Sequence, residues 1–391
     1  MTLLLARLLG RMPIGWLQLV HNRGRMAAAI AGVAFANVLV FVQLGILGAL
    51  NQTIATGYGL FVADVMISSA DAPTLSDGSP VARRHLYQTL AVPGVAAAAP
   101  LYLAKVDIRR PDGSIAQLLV YGLPPEAERF AAPAIADRLA ALRLRDAILL
   151  DERTRGLDPA ALGSPTPERP FRFEANGHAL TAVGTISVGG GFSADGVAVV
   201  SDQTFLRLFG QRVAGTPSHV LVAVERGVDP GAVVAEIGER LAGAPLLVRT
   251  LDEAIRADVA YQNTERPTGV IFGFGVLIGV LVGIVIVYQV LSTDVADHLR
   301  EYATFKAMGY RHRFFLGIVF EEAIILALVG FVPGVLLATG IYGAMAGATG
   351  LPIAMEPVRA VAVFAGTILA CTISGAIATR RLAGADPADL F

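Results

Sequence analysis

The sequence contains a single cysteine, Cys371, which lies inside an apolar run. One cysteine cannot form an intrachain disulfide or a cluster of cysteine ligands around a metal. The six histidines are never three or four residues apart, so the helical spacing typical of a histidine metal site is also missing. We therefore expect no metal site in this chain.

Charged residues are scarce, at 16% of the chain, whereas soluble domains have about 25%. The formal net charge of −1 provides no basic field for holding nucleic acid. Lysine occurs only at Lys105 and Lys306, and neither follows a glycine. A P-loop needs a glycine-rich turn followed by Lys and then Ser or Thr. The chain itself is therefore not predicted to hydrolyse ATP.

Two further patterns resemble catalytic or phosphate-binding motifs but are incomplete. The run 189–191 is Gly-Gly-Gly, yet no lysine follows it, so we interpret it as a flexible turn. Ser193, Asp195 and His178 are the residue types of a hydrolase triad, but no G-x-S-x-G signature surrounds Ser193. We predict no catalytic residue.

Apolar residues dominate instead, at 54% of the sequence. A helix needs about 20 apolar residues to cross a bilayer, and the pattern predicts four such spans, at 26–50, 268–293, 314–344 and 358–379. The third is expected to be bent or broken at Pro333. Gly275, Gly279 and Gly283 recur every four residues, which favours close helix packing in lipid. The alternative is that glycine is simply frequent in membrane helices.

Arginine and lysine mark the ends of these spans. They occur in segments 1–25, 294–313 and 380–391 and are absent from the short connection 345–357. Because basic residues favour the cytoplasmic side, we expect both termini in the cytoplasm, with 51–267 and 345–357 outside. Segment 1–25 carries Trp16 among leucines and arginines, which indicates either an interfacial helix or a plain extension of the first span.

Residues 51–267 combine short β-branched runs with helical patterns, which predicts an α+β domain large enough to have its own core. The predicted strands are 64–69, 102–108, 117–122, 147–150, 180–187 and 197–200. The predicted helices are 79–90, 202–209, 230–241 and 251–264.

The segment between the second and third spans, 294–313, is short and highly charged. As a helix it would carry an apolar stripe and end at Gly309; the stripe consists of Val295, Leu299, Tyr302, Phe305 and Met308. It is either a linker lying on the headgroups or a coupling helix inserted into a groove of a cytoplasmic protein. The sequence pattern alone leaves both open.

Glu321 and Glu322 form an acidic pair within an apolar stretch. Two carboxylates at mid-membrane would each cost roughly 2.5–3.5 kcal/mol. We therefore expect them near the cytoplasmic end of the third span. A proton relay or a polar contact to a neighbouring helix are the functional alternatives.

Several long stretches resemble the DevC-type permeases of the FtsX/MacB-like group of ABC transporters. In the carboxy-terminal third they are VYQVLSTDVADHLREYATFKAMGY, FEEAIILALVG, LPIAM and ISGAIATRRLAGADPADLF. In the external part they are SPVARRHLYQTLAVPGVAAAAPLYLAKV and GTISVGGGFSADGVAVVSD. The resemblance implies a membrane protein with four transmembrane helices and a large α+β periplasmic domain inserted between the first and second.

The resemblance also implies partners. Two copies of the chain would pair with two copies of an ABC ATP-binding subunit, which binds ATP and Mg²⁺. A periplasmic membrane-fusion adaptor and a TolC-like outer-membrane channel would complete an exporter in the bacterial inner membrane, acting on a lipid or other envelope substrate, with glycolipid as one candidate. The implied ATPase-contacting positions are Asp297, His298, Leu299, Arg300, Glu301, Tyr302, Thr304, Phe305, Lys306 and Met308.

Two alternatives remain at this point. The cell-division member of the same superfamily transmits a signal that activates a periplasmic partner instead of exporting a substrate. A membrane-anchored periplasmic enzyme with its active site in 51–267 is the other possibility, although no motif favours it.

Overall fold

The computed structural model of the protein describes residues 14–21, 23–110, 113–157, 163, 165–298, 304, 308–310 and 312–378. The chain divides into a helical unit (Met1–Gly48, Val270–Met345 and Ile353–Phe391) and a sheet unit (Ala49–Gly269 and Ala346–Pro352). In chain order the described elements are α1 (Ile14–His21), α2 (Arg23–Tyr58), β1 (Val65–Ser69), α3 (Arg84–Leu90), β2 (Val95–Arg109), β3 (Ile115–Leu123), α4 (Pro133–Leu139), β4 (Ala147–Asp151), β5 (Phe171–Ala175), β6 (His178–Ile186), β7 (Gly196–Ser201), α5 (Asp202–Leu208), β8 (His219–Val224), α6 (Pro230–Arg240), β9 (Leu246–Thr250), α7 (Leu251–Thr264), α8 (Pro267–Asp297), α9 (His312–Thr349) and α10 (Pro357–Ala378).

Four helices in the described part of the chain are long and apolar enough to cross a membrane: α2, α8, α9 (from Leu316) and α10. The helix α2 continues past residue 50, where the apolar run ends, to Tyr58. The third span was expected to be bent or broken at Pro333, and it is not broken, because α9 is one continuous helix through this residue. Proline in a helix interior costs about 3 kcal/mol, whereas a break in hydrocarbon would leave several backbone groups without partners at several kcal/mol each.

The sheet unit is built on nine strands in the order β3-β7-β4-β6-β5-β2-β8-β1-β9, and β2 also pairs with β3. Strands β3, β7, β4, β6, β5 and β2 therefore form a closed ring. The long strand β2 belongs to both parts of the sheet, because residues 95–101 pair with β8 and residues 102–109 pair with β3. The pairs β3–β7 and β4–β6 are parallel, and the other pairs are antiparallel.

Local sequence signals set several helix starts in this unit. Asp229 caps α6 by accepting a hydrogen bond from the Ala232 N–H at 3.1 Å, and Pro230 follows as the first helical residue. Thr250 and Glu253 form a reciprocal capping box at the start of α7. These polar side chains satisfy N–H groups that have no partner inside the helix.

The α+β prediction for this region is confirmed, and six of the observed strands coincide with predicted ones. Strands β5, β8 and β9 were missed, as was helix α4. Helix α3 begins at Arg84 instead of residue 79, because residues 79–82 are not helical and proline disfavours helical backbone at the residue before it. The strand β8 was missed because all six of its residues are buried, so it lacks the polar alternation of a half-exposed strand.

One buried histidine makes the stability of the sheet unit depend on pH. The His219 Nε2 lies 2.8 Å from the Leu75 carbonyl and Nδ1 lies 2.8 Å from the Ser68 hydroxyl. A carbonyl accepts only, so Nε2 carries the proton and Nδ1 accepts from Ser68. Burial lowers the pKa of His219 to about 4 from its ordinary value of 6.5.

The unfolded chain therefore binds this proton more readily than the folded chain. We expect the free energy of unfolding to fall by on the order of 3 kcal/mol as the pH drops from 6.5 to 4, with no loss from this group above 6.5. Thermal unfolding across this range measures the effect. His219→Gln should flatten the decline, whereas His178→Gln, at an exposed position, should not. An unchanged decline in His219→Gln would contradict the assignment.

Candidate coupling site

The helix α8 faces α2 through the three glycines singled out in the sequence. A methyl group added at Gly275, Gly279 or Gly283 would lie 2.5–3.1 Å from a side chain of α2. Their nearest neighbours there are, in the same order, Gln43, Val40 and Ala36. The absence of side chains at these positions allows the two helices to approach closely.

The helix α9 also packs closely on α2 through two glycines, on another face of α2. The sequence pattern did not predict this contact. A methyl group at Gly330 would lie 2.7 Å from Val33 Cβ. At Gly334 it would lie 3.0 Å from Asn37 Cβ and 3.3 Å from the Ala34 carbonyl oxygen. Two glycines four residues apart are a recognised packing signal. Because Pro333 lies beside Gly334, a bent or broken helix was expected here instead of a packing face.

Polar side chains connect α10 to the same bundle. The side chains of Thr367 and Asn37 are hydrogen-bonded, with 2.6 Å between Oγ1 and Oδ1. The Ser374 hydroxyl donates to the Ile284 carbonyl of α8 at 2.9 Å. Helix α2 thus contacts α8, α9 and α10, and it is the central helix of the unit.

A second polar contact lies toward the carboxyl end of α2. The Tyr342 hydroxyl of α9 donates to the Phe41 carbonyl, and the Arg359 guanidinium of α10 lies 5.9 Å from the Tyr342 ring centroid. Such a cation–π contact contributes about 0.5–2 kcal/mol, depending on solvent exposure. A side chain at Gly45 would collide with the tyrosine ring, so glycine is required there.

At the opposite end of the bundle, α1 packs against α8 and α9. Leu19 is buried in one apolar cluster with Leu291 and Ala323. Gly15 lies so close to α9 that an added methyl group would be 2.9 Å from Glu322 Cγ. The short amino-terminal helix is therefore a packed part of the bundle, at least from residue 14 onward.

The acidic pair of α9 lies beneath α1. Glu321 and Glu322 are buried, and the backbone N–H of Trp16 donates to Glu321 Oε1 at 3.4 Å. A polar contact to a neighbouring helix, one of the alternatives considered for this pair, is thus present in the structure.

The end of α8 is joined to the start of α2 by an ion pair between Asp297 and Arg25. Both side chains are partly exposed, at 47% and 31%, so the pair contributes less than about 1 kcal/mol to stability. The family resemblance implies an ATPase contact for Asp297, and no pattern in the sequence indicates Arg25 as its partner. The pair brings the amino end of α2 together with the beginning of the segment between α8 and α9.

Four predicted coupling positions fall within the described residues. Asp297 and His298 border a cavity of about 160 Å³ beside Arg25. The Met308 N–H donates to the Thr304 carbonyl at 3.0 Å, and 60% of Met308 is exposed. Gly309 has φ +90°, in the left-handed region expected where a helix ends. The remaining predicted positions lie outside the described residues: Leu299, Arg300, Glu301, Tyr302, Phe305 and Lys306.

The structure also accounts for the incomplete hydrolase pattern. Asp195 Oδ1 accepts from Arg155 Nη1 at 3.1 Å and Oδ2 accepts from the Gln117 N–H at 3.0 Å. The carboxylate is thus engaged by groups other than His178. Among the described residues, no three His, Cys, Asp or Glu side chains are grouped to hold a metal ion.

Comparison with known proteins finds a family match in the carboxy-terminal part of the chain. Residues 273–387 match the family described as FtsX-like permease C-terminal. No curated protein sequence matches the chain. The extracellular domain of the noncanonic ABC-type transporter YknZ from Gram-positive bacteria aligns with 48% of this chain and 98% of its own, at 12% identity and a TM-score of 0.34. The periplasmic region of MacB from Actinobacillus actinomycetemcomitans aligns with 51% of this chain and 93% of its own, at 10% identity and a TM-score of 0.33. The carboxy-terminal membrane part, from α8 to the end of α10, is thus similar to the FtsX-like permease C-terminal domain.

Proposed function

We propose that the chain is the membrane subunit of an ATP-driven ABC exporter of the DevC/MacB type. The observation that carries this proposal is the match of residues 273–387 to the FtsX-like permease C-terminal family. The matched region contains the whole segment between α8 and α9. The four helices able to span a membrane and the separate sheet unit support the same architecture.

In this proposal ATP and Mg²⁺ bind to a partner subunit, because no lysine of this chain follows a glycine as a P-loop requires. Two ATPase subunits would contact two copies of the segment between α8 and α9. The basic residues at the chain termini and in this segment support a cytoplasmic location for all three. The sheet unit would then lie in the periplasm.

The contacts of the described residues suggest how motion would pass into the membrane. A displacement of the segment would pull on the end of α8 and on α2 through the Asp297–Arg25 pair. It would also move α1, which packs on α8 and α9 through Leu19. Since α2 is one helix from Arg23 to Tyr58, a displacement at Arg25 would be passed along this helix.

The finer parts of the proposal concern partners and cargo. A periplasmic adaptor and a TolC-like outer-membrane channel would complete the path through the envelope. The substrate would be a lipid or another envelope compound, with glycolipid as the DevC-type candidate. A protein of this design would move its periplasmic domains and displace a substrate already outside the inner membrane.

The test is recovery of partners with the tagged full-length protein from native membranes. We expect an ABC ATPase to be recovered with the wild type and lost with Tyr302→Asp/Phe305→Asp, because two carboxylates would be placed in an apolar contact. The matched control is Tyr87→Asp/Leu90→Asp on α3, where both residues are already exposed. Its ATPase recovery should equal that of the wild type.

The same experiment separates the alternatives. An adaptor recovered together with the ATPase supports export, whereas a cell-wall hydrolase or its activator supports signal transmission. If the wild type recovers no ATPase, or if the Tyr302→Asp/Phe305→Asp variant inserts normally and retains it, the coupling assignment is wrong.

A further inference from the structure

The helix α3 turns a partly apolar face to solvent. Its buried side chains are His85, Leu86 and Thr89, and the exposed positions on the opposite side are Arg84, Tyr87, Gln88, Leu90 and, one residue beyond the helix, Ala91. Tyr87 is 60% exposed and Leu90 is 44% exposed. A single exposed apolar side chain is ordinary, whereas neighbouring ones rimmed by polar groups mark interaction sites. The exposed face of α3 is therefore a candidate surface for a partner.

The loop that follows α5 lies beside the start of α3. The Arg83 N–H donates to the Gly215 carbonyl at 2.8 Å. The hydroxyl of the buried Tyr102 donates to the Ala214 carbonyl of this loop at 2.7 Å, and Tyr87 lies within electrostatic range of the same hydroxyl. The helix face and the loop are therefore neighbouring parts of one surface.

Three arginines surround the apolar side chains of this surface, which we call the α3 patch. It consists of Arg83, Arg84, Tyr87, Leu90, Arg212 and Val213, the last of which is 59% exposed. Among the described residues, none of the three guanidinium groups takes part in an ion pair. The α3 patch therefore has positive charge that the described part of the chain leaves unpaired.

The surroundings of these arginines favour an incoming carboxylate. Arg212 Nη2 donates to the Ser218 hydroxyl at 2.8 Å, and burial lowers the pKa of Arg212 from its ordinary value. Asp202 interacts with Arg83 at longer range, without an ion pair. A partly desolvated cation is stabilised when an anion pairs with it, and the planar guanidinium group binds a carboxylate through two parallel hydrogen bonds. The arginines therefore suit a partner with acidic side chains.

The mixture of side chains favours a protein over a membrane surface as the partner. Tyrosine and arginine are enriched in protein interfaces and contribute much of their binding energy. A helix that lies on a membrane buries its apolar face among the acyl chains. The helix α3 instead packs Leu86 into the core of the sheet unit and exposes only Tyr87 and Leu90 as large apolar side chains.

We propose that the α3 patch is the docking surface for an acidic segment of a periplasmic protein. Carboxylates of this segment pair with Arg83, Arg84 and Arg212, and an apolar residue of the segment contacts Tyr87 and Val213. Complementary charge fixes the orientation of such a complex and speeds its formation. The periplasmic location, and the identification of this protein as the adaptor, rest on the proposed function. The patch itself involves only residues of the sheet unit.

The test is photo-crosslinking of the full-length protein in native membranes, with p-benzoylphenylalanine in place of the exposed Ala91. We expect a crosslink to a periplasmic protein, through a peptide that contains Asp or Glu. Its yield should be about tenfold lower in Arg83→Glu/Arg84→Glu, because like charges would then face each other. The matched control is Arg169→Glu/Arg172→Glu, which reverses two exposed arginines at the start of β5 and should leave the yield unchanged.

ATPase recovery from the same preparations separates this inference from the proposed function. Tyr87→Asp/Leu90→Asp should lose the crosslink and keep the ATPase. Tyr302→Asp/Phe305→Asp should lose the ATPase and keep the crosslink, because docking depends only on the sheet unit. A crosslink without any ATPase in the wild type would contradict the coupling assignment and leave the docking surface in place.

Arg84→Glu alone keeps the test informative if the double arginine variant is unstable. It changes an exposed side chain that forms no ion pair with a described residue, so its unfolding temperature should equal that of the wild type. The docking assignment is overturned if no protein is crosslinked, if the crosslinked peptide lacks acidic residues, if the adduct is a lipid, or if Arg84→Glu leaves the yield unchanged. An ATPase recovered as before would still support the proposed function in each of these cases.

Discussion

Replacing Gly334 by leucine is expected to destabilise the helical unit by about 1–3 kcal/mol or more, the usual range for overpacking a close contact. The first added carbon alone would lie 3.0 Å from Asn37 Cβ, 3.3 Å from the Ala34 carbonyl oxygen and 3.4 Å from Ala34 Cα. Two of these three atoms are backbone, so no side-chain rotation can relieve the contact. The helices α2 and α9 would have to separate, and the Tyr342–Phe41 hydrogen bond between them would be strained as well.

The matched control is Gly343→Leu on the same helix, where an added methyl group meets nothing within 4 Å. Leucine is a better helix former than glycine by about 0.8 kcal/mol, so this variant should be as stable as the wild type or slightly more stable. Thermal unfolding of both variants in nanodiscs measures the difference. Equal unfolding temperatures would show that the close α2–α9 contact does not contribute to stability.

Asp151 is expected to be the most sensitive carboxylate of the sheet unit. Its side chain is fully buried and accepts three backbone hydrogen bonds, from Arg153 and Val188 at 3.0 Å and from Gly189 at 2.8 Å. Asp151→Ala would leave three N–H groups without this acceptor. At about 1–3 kcal/mol for each unsatisfied group, the loss should be at least about 3 kcal/mol.

Asp151→Ala should lower the free energy of unfolding of the sheet unit and should also increase local opening of the loop that contains Val188 and Gly189. Hydrogen exchange of the Val188 and Gly189 amides, measured by mass spectrometry, should become about a hundredfold faster in Asp151→Ala. Asp229→Ala is the control, because Asp229 accepts a single N–H at an exposed helix start and its loss costs about 1 kcal/mol. Unchanged exchange at the two amides would refute the role assigned to Asp151.

The glycine run 189–191 begins in the loop whose N–H groups donate to Asp151. Its glycines have a more specific role than that of a flexible turn. A flexible turn was expected at 189–191, yet a methyl group at Gly190 would lie 2.5 Å from the Asp195 carbonyl oxygen, and Gly189 has φ +97°. The glycines are therefore required by close backbone approach and by a left-handed conformation. Sequence composition indicates that a turn is present, but the packing around it is a long-range property.

The sequence by itself determined the four long apolar helices and the general class of the sheet unit. Long apolar runs form helices because a backbone in hydrocarbon must satisfy its own hydrogen bonds. Short β-branched runs bounded by turns form strands because branched side chains suit a pleated surface. The spacing of Gly275, Gly279 and Gly283 likewise indicated a packing face, since residues four apart lie on one side of a helix.

Only the tertiary structure decided which residues meet across the chain. Asp258 and Tyr58 are hydrogen-bonded although 200 positions separate them, and the Asp297–Arg25 pair spans 272 positions. No local periodicity encodes such contacts, because they depend on how complete elements pack. The partner of Asp297 is therefore visible only once the helices and strands are in place.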